Sequence, residues 1–301
     1  MNPDDARTWQ NTVLDEVFLA IATDPDLTSI LIFKGARVLA RHVPEAARQS
    51  LDLDANCREG FLTRYPEREQ QATVLRELLT VALRRHFESQ SPVRYEVDGI
   101  RVEAKPPRGH PHGWDGLEAH IRVRDLSRPT THGLPFLSLD VASPEHLTDH
   151  STTTLEIGAH RVTVYTLERI AGEKLRAFLS TTPAYQSEKA GTRQTLRVKD
   201  LPDLARIVEH TPLSDNAFWQ IVGRDFRDAC QSRGVDCAGW STFEAVAGQA
   251  RDTYNKDATV ATSMPFDRAW AAVKAIVNRL EAERVVPFEF PMPPRTASAR
   301  E

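Results

Sequence analysis

The apolar pattern of the chain changes near residue 166, and this change constrains the fold most. Before it, short apolar and β-branched runs bounded by turn residues predict strands over 28–33, 50–54, 94–97, 100–104, 117–123 and 136–142, and a hairpin around Gly158-Ala159 that ends at Tyr165. Helical spacing in the same half predicts helices over 4–22, 36–42 and 67–86. After residue 166 only helical patterns follow, over 167–180, 200–209, 214–231, 241–254 and 266–284, with a loop predicted over 181–197. We therefore predict an α+β fold, in which a lobe of residues 1–165 with a mixed or mostly antiparallel sheet precedes a helical lobe of residues 166–301 that closes a cleft.

Composition narrows the class of protein. The 301 residues are 41% hydrophobic and carry a formal net charge of −4, so the chain can bury a core and has no overall field that attracts nucleic acid or anionic membrane. Any basic site must therefore be local. There is no apolar run of about 18 residues and no leader-like N-terminal segment. The three cysteines, Cys57, Cys230 and Cys237, have no metal-like spacing. We expect a cytoplasmic protein without a membrane segment, a disulfide framework or a zinc site.

Several common chemistries are excluded by inspection. No two glycines lie two positions apart, which rules out the Rossmann dinucleotide fingerprint, and no glycine precedes Lys-Ser or Lys-Thr in a Walker A frame. The nucleophile elbow G-x-S-x-G and the zinc motif H-E-x-x-H are also absent. A nucleotide site in this chain would have to be of another kind.

Three aspartates on predicted strands form a candidate metal site. Asp52 and Asp54 alternate with leucines, so both carboxylates point to one face of a strand, where their oxygens can converge on divalent ions. Asp140 interrupts an apolar strand and would need a partner there. The alternatives are a solvated aspartate face on an edge strand and an aspartate that caps a loop at a strand end. A metal ion bound by all three carboxylates would compensate their negative charges.

Cationic residues form a candidate phosphate site. The strand over 28–33 runs into Lys34-Gly35-Ala36-Arg37 and then a helix, whose N-terminal N–H groups and flanking cations suit phosphate, although an ordinary turn that needs glycine remains an alternative. Lys174 lies on the inward face of its helix and suits phosphate, unless it extends past the apolar stripe to solvent. Asp200 and Asp203 share a helix face and either reach the cleft or form an exposed helix start.

Taken in order, these segments resemble a known family. They are Lys34-Gly35-Ala36, the string Arg48-Gln49-Ser50-Leu51-Asp52-Leu53-Asp54, Asp140, Tyr165-Thr166-Leu167 with Gly172-Glu173-Lys174-Leu175, and Lys199-Asp200-Leu201-Pro202-Asp203-Leu204. The pattern resembles the AbiEii/AbiGii-type nucleotidyltransferase toxins over about residues 28–210. The resemblance implies a polymerase β-like nucleotidyltransferase lobe and a helical lobe, a nucleoside triphosphate substrate with Mg²⁺ or Mn²⁺, a cognate antitoxin, and in some members transfer to the 3′ end of tRNA.

The same resemblance implies roles for individual residues. Asp52 and Asp54 would hold the metal ions, Gly35 and its neighbours would seat the triphosphate, Lys174 would match the family lysine near the phosphates, and Asp200 or Asp203 the late acidic position. The chain departs from the family pattern at Ala36, where a hydroxyl residue or glycine is usual, at Lys199, at Pro202, and in a longer loop before Asp200.

We expect an in-line transfer in which Asp140 completes the metal shell near the attacking hydroxyl, while Lys174, Arg37 and the turn at Gly35 stabilise charge on the departing pyrophosphate.

Two further groups are weaker candidates for function. The candidates for a basic RNA track are Arg193, Arg197, Lys199 and the run Arg84-Arg85-His86, although solvated surface is the favoured interpretation of each. The segment Gly109-His110-Pro111-His112-Gly113 is interpreted as a plain loop. The alternatives in other functional classes are a non-catalytic nucleotide- or partner-binding protein, and a transferase that modifies protein or small-molecule hydroxyls.

Overall fold

The computed structural model describes residues 3–46, 50–108, 110, 112–128, 134–190, 195–261 and 263–294. Its first helix, α1 (Pro3–Thr23), buries the apolar stripe that begins at Trp9 and includes Val13 and Val17. A short helix, α2 (Pro25–Ile30), then precedes strand β1 (Leu31–Lys34). The strand predicted over 28–33 was therefore wrong in its first half. The carboxylate of Asp24 accepts hydrogen bonds from the N–H groups of Asp26 and Leu27, and this cap with Pro25 at the first helical position starts a helix that the β-branched residues continue.

A seven-stranded mixed sheet in the order β3-β4-β5-β2-β1-β7-β6 forms the centre of the fold. The strands after β1 are β2 (Asp52–Cys57), β3 (Tyr95–Lys105), β4 (Gly116–Asp125), β5 (Leu137–Ala142), β6 (Thr152–Ile157) and β7 (His160–Tyr165). The pairs β2/β5 and β1/β7 are parallel, and the other neighbours are antiparallel. The segments predicted as two strands at 94–97 and 100–104 form one strand with an irregularity between Val97 and Gly99. The strand predicted over 50–54 starts at Asp52 and extends to Cys57.

Helices cover the sheet and build the second half of the chain. In the first half, α3 (Gly35–His42), α4 (Glu59–Arg64) and α5 (Arg68–Glu88) follow β1 and β2. The later helices are α6 (Leu167–Leu179), α7 (Pro183–Tyr185), α8 (Asp200–His210), α9 (Asn216–Arg233), α10 (Trp240–Glu244), α11 (Ala247–Lys256), α12 (Ala258–Ala261) and α13 (Phe266–Ala282). The α+β class is thus confirmed. None of the described helices is long and apolar enough to cross a lipid bilayer.

Two sequence-based boundaries in the helical half were wrong. The single helix predicted over 241–254 is split into α10 and α11, because the chain bends at Ala245-Val246, where Val246 leaves helical geometry. Phe243 of α10 and Tyr254 of α11 are both buried. The loop predicted over 181–197 contains α7 and a π-helical turn over Gln186–Ala190, since Pro183 at the first position favours a helical start.

One continuous apolar core extends through both halves of the chain. The boundary at 165/166 coincides with the end of β7 and with Thr166, whose hydroxyl caps α6 by accepting a hydrogen bond from the N–H of Arg169. The division into lobes of residues 1–165 and 166–301 stays a prediction. The shared core nevertheless means that the sheet and the helices are held against each other by apolar burial.

Candidate active site

Asp52, Asp54 and Asp140 come together on the face of the sheet that also carries Lys34. β2 runs parallel to β5 with Asp54 opposite Asp140, and the period of two along β2 brings Asp52 to the same face. One carboxylate oxygen from each residue lies within 4.8 Å of the others. In the part of the chain that the structure describes, this is the only group of three acidic, histidine or cysteine side chains so placed. Hard oxygen ligands at this spacing suit a divalent ion such as Mg²⁺ or Mn²⁺.

Hydroxyl and ammonium groups hold the acidic triad in place. The buried Ser50 donates a hydrogen bond from its hydroxyl to Asp52 Oδ1 at 2.7 Å. Lys199 Nζ lies 3.8 Å from Asp52 Oδ2, and Lys105 Nζ donates to Asp140 Oδ1 at 2.9 Å. Ser50 belongs to the family string but was given no role of its own, and sequence reasoning did not single out Lys105 for function. The alternation of Lys105 with Glu103 along a strand was the one available signal for the lysine.

The surroundings of Asp54 disfavour its charged form. Burial raises the pKa of Asp54, the adjacent Asp52 raises it further, and the cations Lys34 and Arg197 only partly offset this. The ionised carboxylate is therefore unfavourable in the folded protein. A carboxylate kept in such a place suits the binding of a cation.

Gly35 makes this arrangement possible. Its φ of +80° is in the left-handed region, and a Cβ built on it would lie 2.8 Å from both Cβ and Cγ of Asp54 and closer still to Oδ2. The first turn of α3 therefore approaches the Asp54 carboxylate as closely as a backbone can. Ala36, the next residue, is buried in the same turn.

We expect Gly35→Ala to lower the free energy of unfolding by about 2–4 kcal/mol, because the left-handed backbone and the overlap with Asp54 both cost energy. Thermal unfolding measures the change. Gly60→Ala is the matched control, since a Cβ there would meet nothing within 4 Å, and it should leave stability unchanged or slightly higher. Equal melting temperatures for the two variants would contradict this account of Gly35.

The side chains of Lys174, Asp200 and Asp203 form a buried ionic cluster beside the triad. Lys174 Nζ lies 3.1 Å from Asp200 Oδ1 and 2.6 Å from Asp203 Oδ2, and all three residues are less than 9% exposed. Burial alone would raise the pKa of Asp200, but Arg197 and Lys174 outweigh it and hold the pKa well below its usual value. The alternatives of an exposed helix start for the aspartates and a solvent-directed Lys174 are thereby excluded.

A cavity of about 150 Å³ lies between the ends of β1 and β2 and the helices α6 and α8. Its walls include the cations Lys34, Lys174, Arg176 and Arg197, together with Gly35, Asp54, Glu173 and Asp200. We call it the first cavity. Four cations around a small polar space, with Asp54 at its edge, can bind an anion such as a phosphate chain next to the acidic triad.

Glu145 anchors the cations behind this cavity. Its side chain is 6% exposed and lies 3.2 Å from Lys34 Nζ, 3.3 Å from Arg169 and 3.6 Å from Arg233, while the Tyr165 hydroxyl donates to it at 3.0 Å. Burial would raise the pKa of Glu145, but Lys34 and the nearby guanidinium groups outweigh it and hold the pKa far below normal. The sequence pattern gave no signal for Glu145, which follows β5 in an irregular segment.

Arg37, which was predicted for the phosphate site, does not line the first cavity. The guanidinium of Arg37 bonds to Asn11, Asp15 and the Ser50 carbonyl, so it joins α1 to the segment before β2 instead of extending into the first cavity. Three acceptors on α1 bind this guanidinium, and Arg37 does not line the first cavity, so its contact with the pyrophosphate stays a prediction.

The residues suggested for an RNA track are spread over two sides of the sheet. Arg197 and Lys199 contact Asp200 and Asp52 at the site itself. Arg85 and His86 pair with Asp24 and Glu16 on the other layer. Arg193, and Arg48-Gln49 of the family motif, fall outside the described residues.

The segment around His110 lies near the triad. His110 and His112 pack against the Trp114 ring, and His112 Nδ1 lies 2.7 Å from the Pro293 carbonyl oxygen. Gly109 and Pro111 are outside the described residues.

Two crystal structures share this fold. A proposed nucleotidyltransferase from H. pylori is 12% identical with a TM-score of 0.54, over 96% of this chain and 100% of that one. JHP933 from Helicobacter pylori is 13% identical with a TM-score of 0.53, over 92% of each chain. At such identities the likeness concerns the fold alone. A search of curated proteins gives no match.

The family of the chain is identified from its sequence. The profile described as nucleotidyl transferase AbiEii toxin, type IV toxin–antitoxin system, matches residues 17–283 and so extends well beyond the 28–210 covered by the motifs. Within this match lie the acidic triad, Gly35 and the Lys174 cluster. The chain therefore belongs to the AbiEii nucleotidyltransferase toxin family of type IV toxin–antitoxin systems.

Proposed function

We propose that the chain is a metal-dependent nucleotidyltransferase that moves nucleotides from a nucleoside triphosphate to an RNA acceptor such as the 3′ end of tRNA. It would act as the toxin of a toxin–antitoxin pair in the cytoplasm, where both substrates are present, with a cognate antitoxin as its partner. The observation that carries the proposal is the acidic triad at the edge of a cavity lined by four cations.

The residues fit a divalent metal. The triad offers three carboxylates within 4.8 Å of one another, and the raised pKa of Asp54 marks negative charge that the protein does not neutralise by itself. When bound, Mg²⁺ or Mn²⁺ would stabilise the charge that develops on the attacking and leaving oxygens. Asp52, Asp54 and Asp140 are the proposed ligands, and Ser50 keeps the Asp52 carboxylate in position.

The remaining residues would bind and orient the triphosphate. Lys34, Lys174 and Arg197 would pair with phosphate oxygens in the first cavity. The N–H groups at Gly35 and Ala36, which open α3, would donate to the same phosphates. Asp140 would accept the proton of the attacking hydroxyl at a carboxylate oxygen, since it lies at the side of the triad away from Gly35.

The test is incubation of the purified protein with Mg²⁺, each labelled nucleoside triphosphate in turn, and total tRNA. We expect label from one triphosphate in the RNA with the wild type and none with Asp52→Ala. Parallel reactions with protein and small-molecule acceptors examine the other transferase classes. If neither the wild type nor Asp52→Ala labels any acceptor, the result would support the non-catalytic alternative. The departure from the family pattern at Ala36 favours that alternative.

A further inference from the structure

A second cavity, of about 300 Å³, adjoins the first at Asp54 and is lined by Asp140. The two cavities share Lys34 and Asp54. Gly35 and Lys174 line only the first, whereas Asp140 and Lys105 line only the second. Asp54 therefore lies at the junction of the two spaces, with Asp140 on the side of the second.

In-line transfer requires that the attacking and leaving groups approach phosphorus from opposite sides. If the triphosphate occupies the cation-lined first cavity, the leaving pyrophosphate remains there. The acceptor hydroxyl must then arrive from the side of Asp140, through the second cavity.

The walls of the second cavity have the chemistry of a nucleotide site. Lys105 is 52% exposed and extends from the end of β3, and the Arg233 guanidinium lies 4.8 Å from the centre of the Trp114 ring. Arg233 is the last residue of α9, and its stacking on the indole, with the ion pair to Glu145, fixes its direction. Two cations suit a phosphate, and the part of the indole that lines the cavity beside Arg233, His110 and His112 suits a base or sugar.

Acidic residues also surround this cavity, and two of them, Asp140 and Glu118, contact Lys105. Asp115 also lines the cavity, but it pairs with Arg68 at 3.5 Å. Asp54 and Asp140 belong to the triad and would be engaged with metal during transfer. Glu118 lies 3.4 Å from Lys105 and faces the same side of the sheet, so it shares that lysine with Asp140.

We propose that Lys105, Trp114 and Arg233 form the subsite that holds the terminal nucleotide of the acceptor, with the cations on its phosphate and the indole against its base or sugar. The inference rests on the proposed function for the direction of transfer. It favours an acceptor that carries a phosphate next to the reacting hydroxyl, as the end of an RNA does, over a protein or an uncharged small molecule.

Lys105→Glu and Trp114→Ala test the subsite, and both are preferable to a change at Arg233, which also pairs with Glu145. The first readout is the Kd of fluorescein-labelled tRNA in EDTA without triphosphate, and the second is the KM for tRNA and for the triphosphate in the transfer assay. We expect Lys105→Glu to raise the Kd and KM for tRNA by about ten-fold or more, because it reverses a charge at a phosphate. The KM for the triphosphate in Trp114→Ala should stay close to the wild-type value, because Trp114 does not line the first cavity.

Two controls separate the subsite from general effects. Lys256→Glu makes the same charge change at an exposed residue at the end of α11, and it should bind tRNA like the wild type. Trp114→Phe should retain most of the affinity that Trp114→Ala loses, because an aromatic face remains. Circular dichroism of each variant shows whether it is folded.

The outcomes distinguish the two proposals. The wild type could bind tRNA without transferring a nucleotide, while Lys105→Glu and Trp114→Ala lose this binding. That result would support the subsite and contradict the proposed function. Transfer by the wild type with Lys105→Glu equal to Lys256→Glu would overturn the subsite alone. A wild type that neither binds tRNA nor transfers to it would overturn both.

Discussion

Asp54→Asn is expected to abolish nucleotide transfer and at the same time to raise the melting temperature. Loss of this carboxylate, which lines both cavities, should reduce the rate by at least about a thousand-fold, because the proposed metal, which would stabilise the charge at the reacting phosphate, loses one of its three ligands. In the free protein the same carboxylate is unfavourable, since burial and Asp52 raise its pKa. A group whose folded pKa is raised is destabilising, when ionised, above that pKa, so its neutral isostere should be more stable at neutral pH.

Differential scanning calorimetry at pH 7 without metal, together with the transfer assay, measures both effects. Asp252→Asn is the matched control, because this aspartate is exposed on α11, and it should change neither quantity. The stability gain should shrink when Mg²⁺ or Mn²⁺ is added, since only the wild type retains the full set of carboxylates. An inactive variant that is less stable than the wild type would contradict the conclusion that the ionised Asp54 carboxylate destabilises the folded protein.

Lys174→Met is expected to have the largest effect on stability. Lys174 is 7% exposed and lies between the buried Asp200 and Asp203, so its removal takes away a cation that both buried carboxylates contact. Breaking a buried pair in this way costs about 3–5 kcal/mol. For a chain of this size we expect the melting temperature to fall by roughly 10 °C.

A double variant separates the structural role of Lys174 from its role at the phosphates. Lys174→Met with Asp203→Asn restores the charge balance, because Arg197 still pairs with Asp200 at 2.9 Å, and most of the lost stability should return. Transfer activity should remain lost, since the ammonium group that lines the first cavity is missing. Lys256→Met is the control on an exposed residue and should be silent. If activity returned together with stability, Lys174 would be purely structural.

The sequence was sufficient for the family, the α+β class and the shared face of Asp52 and Asp54, because these depend on local periodicity and motif spacing. That Asp140 stands opposite Asp54 depends on the parallel pairing of β2 with β5, which strand patterns alone do not specify. The signal for that link was indirect: Asp140 interrupts an apolar strand, where a lone aspartate needs a partner.

The directions of long side chains were harder to predict from the sequence than the helices and strands. Arg37 follows Gly35 by two residues, yet its guanidinium extends to α1, where Asn11 and Asp15 accept its hydrogen bonds. Lys199 was considered for an RNA surface and lies at Asp52. Long side chains choose among partners that only the tertiary fold brings near, so their contacts could not be predicted from neighbouring residues.

Glu145 has a consequence for how the site receives an anion. Lys34 lines both cavities, and its ammonium group is already held by a carboxylate that is itself bound by Arg169, Arg233 and the Tyr165 hydroxyl. An incoming phosphate therefore meets a cation whose rotamer is fixed, and little conformational entropy is lost when the two associate. Part of the ordering needed for binding is thus completed during folding, by a residue 111 positions away from the lysine it orients.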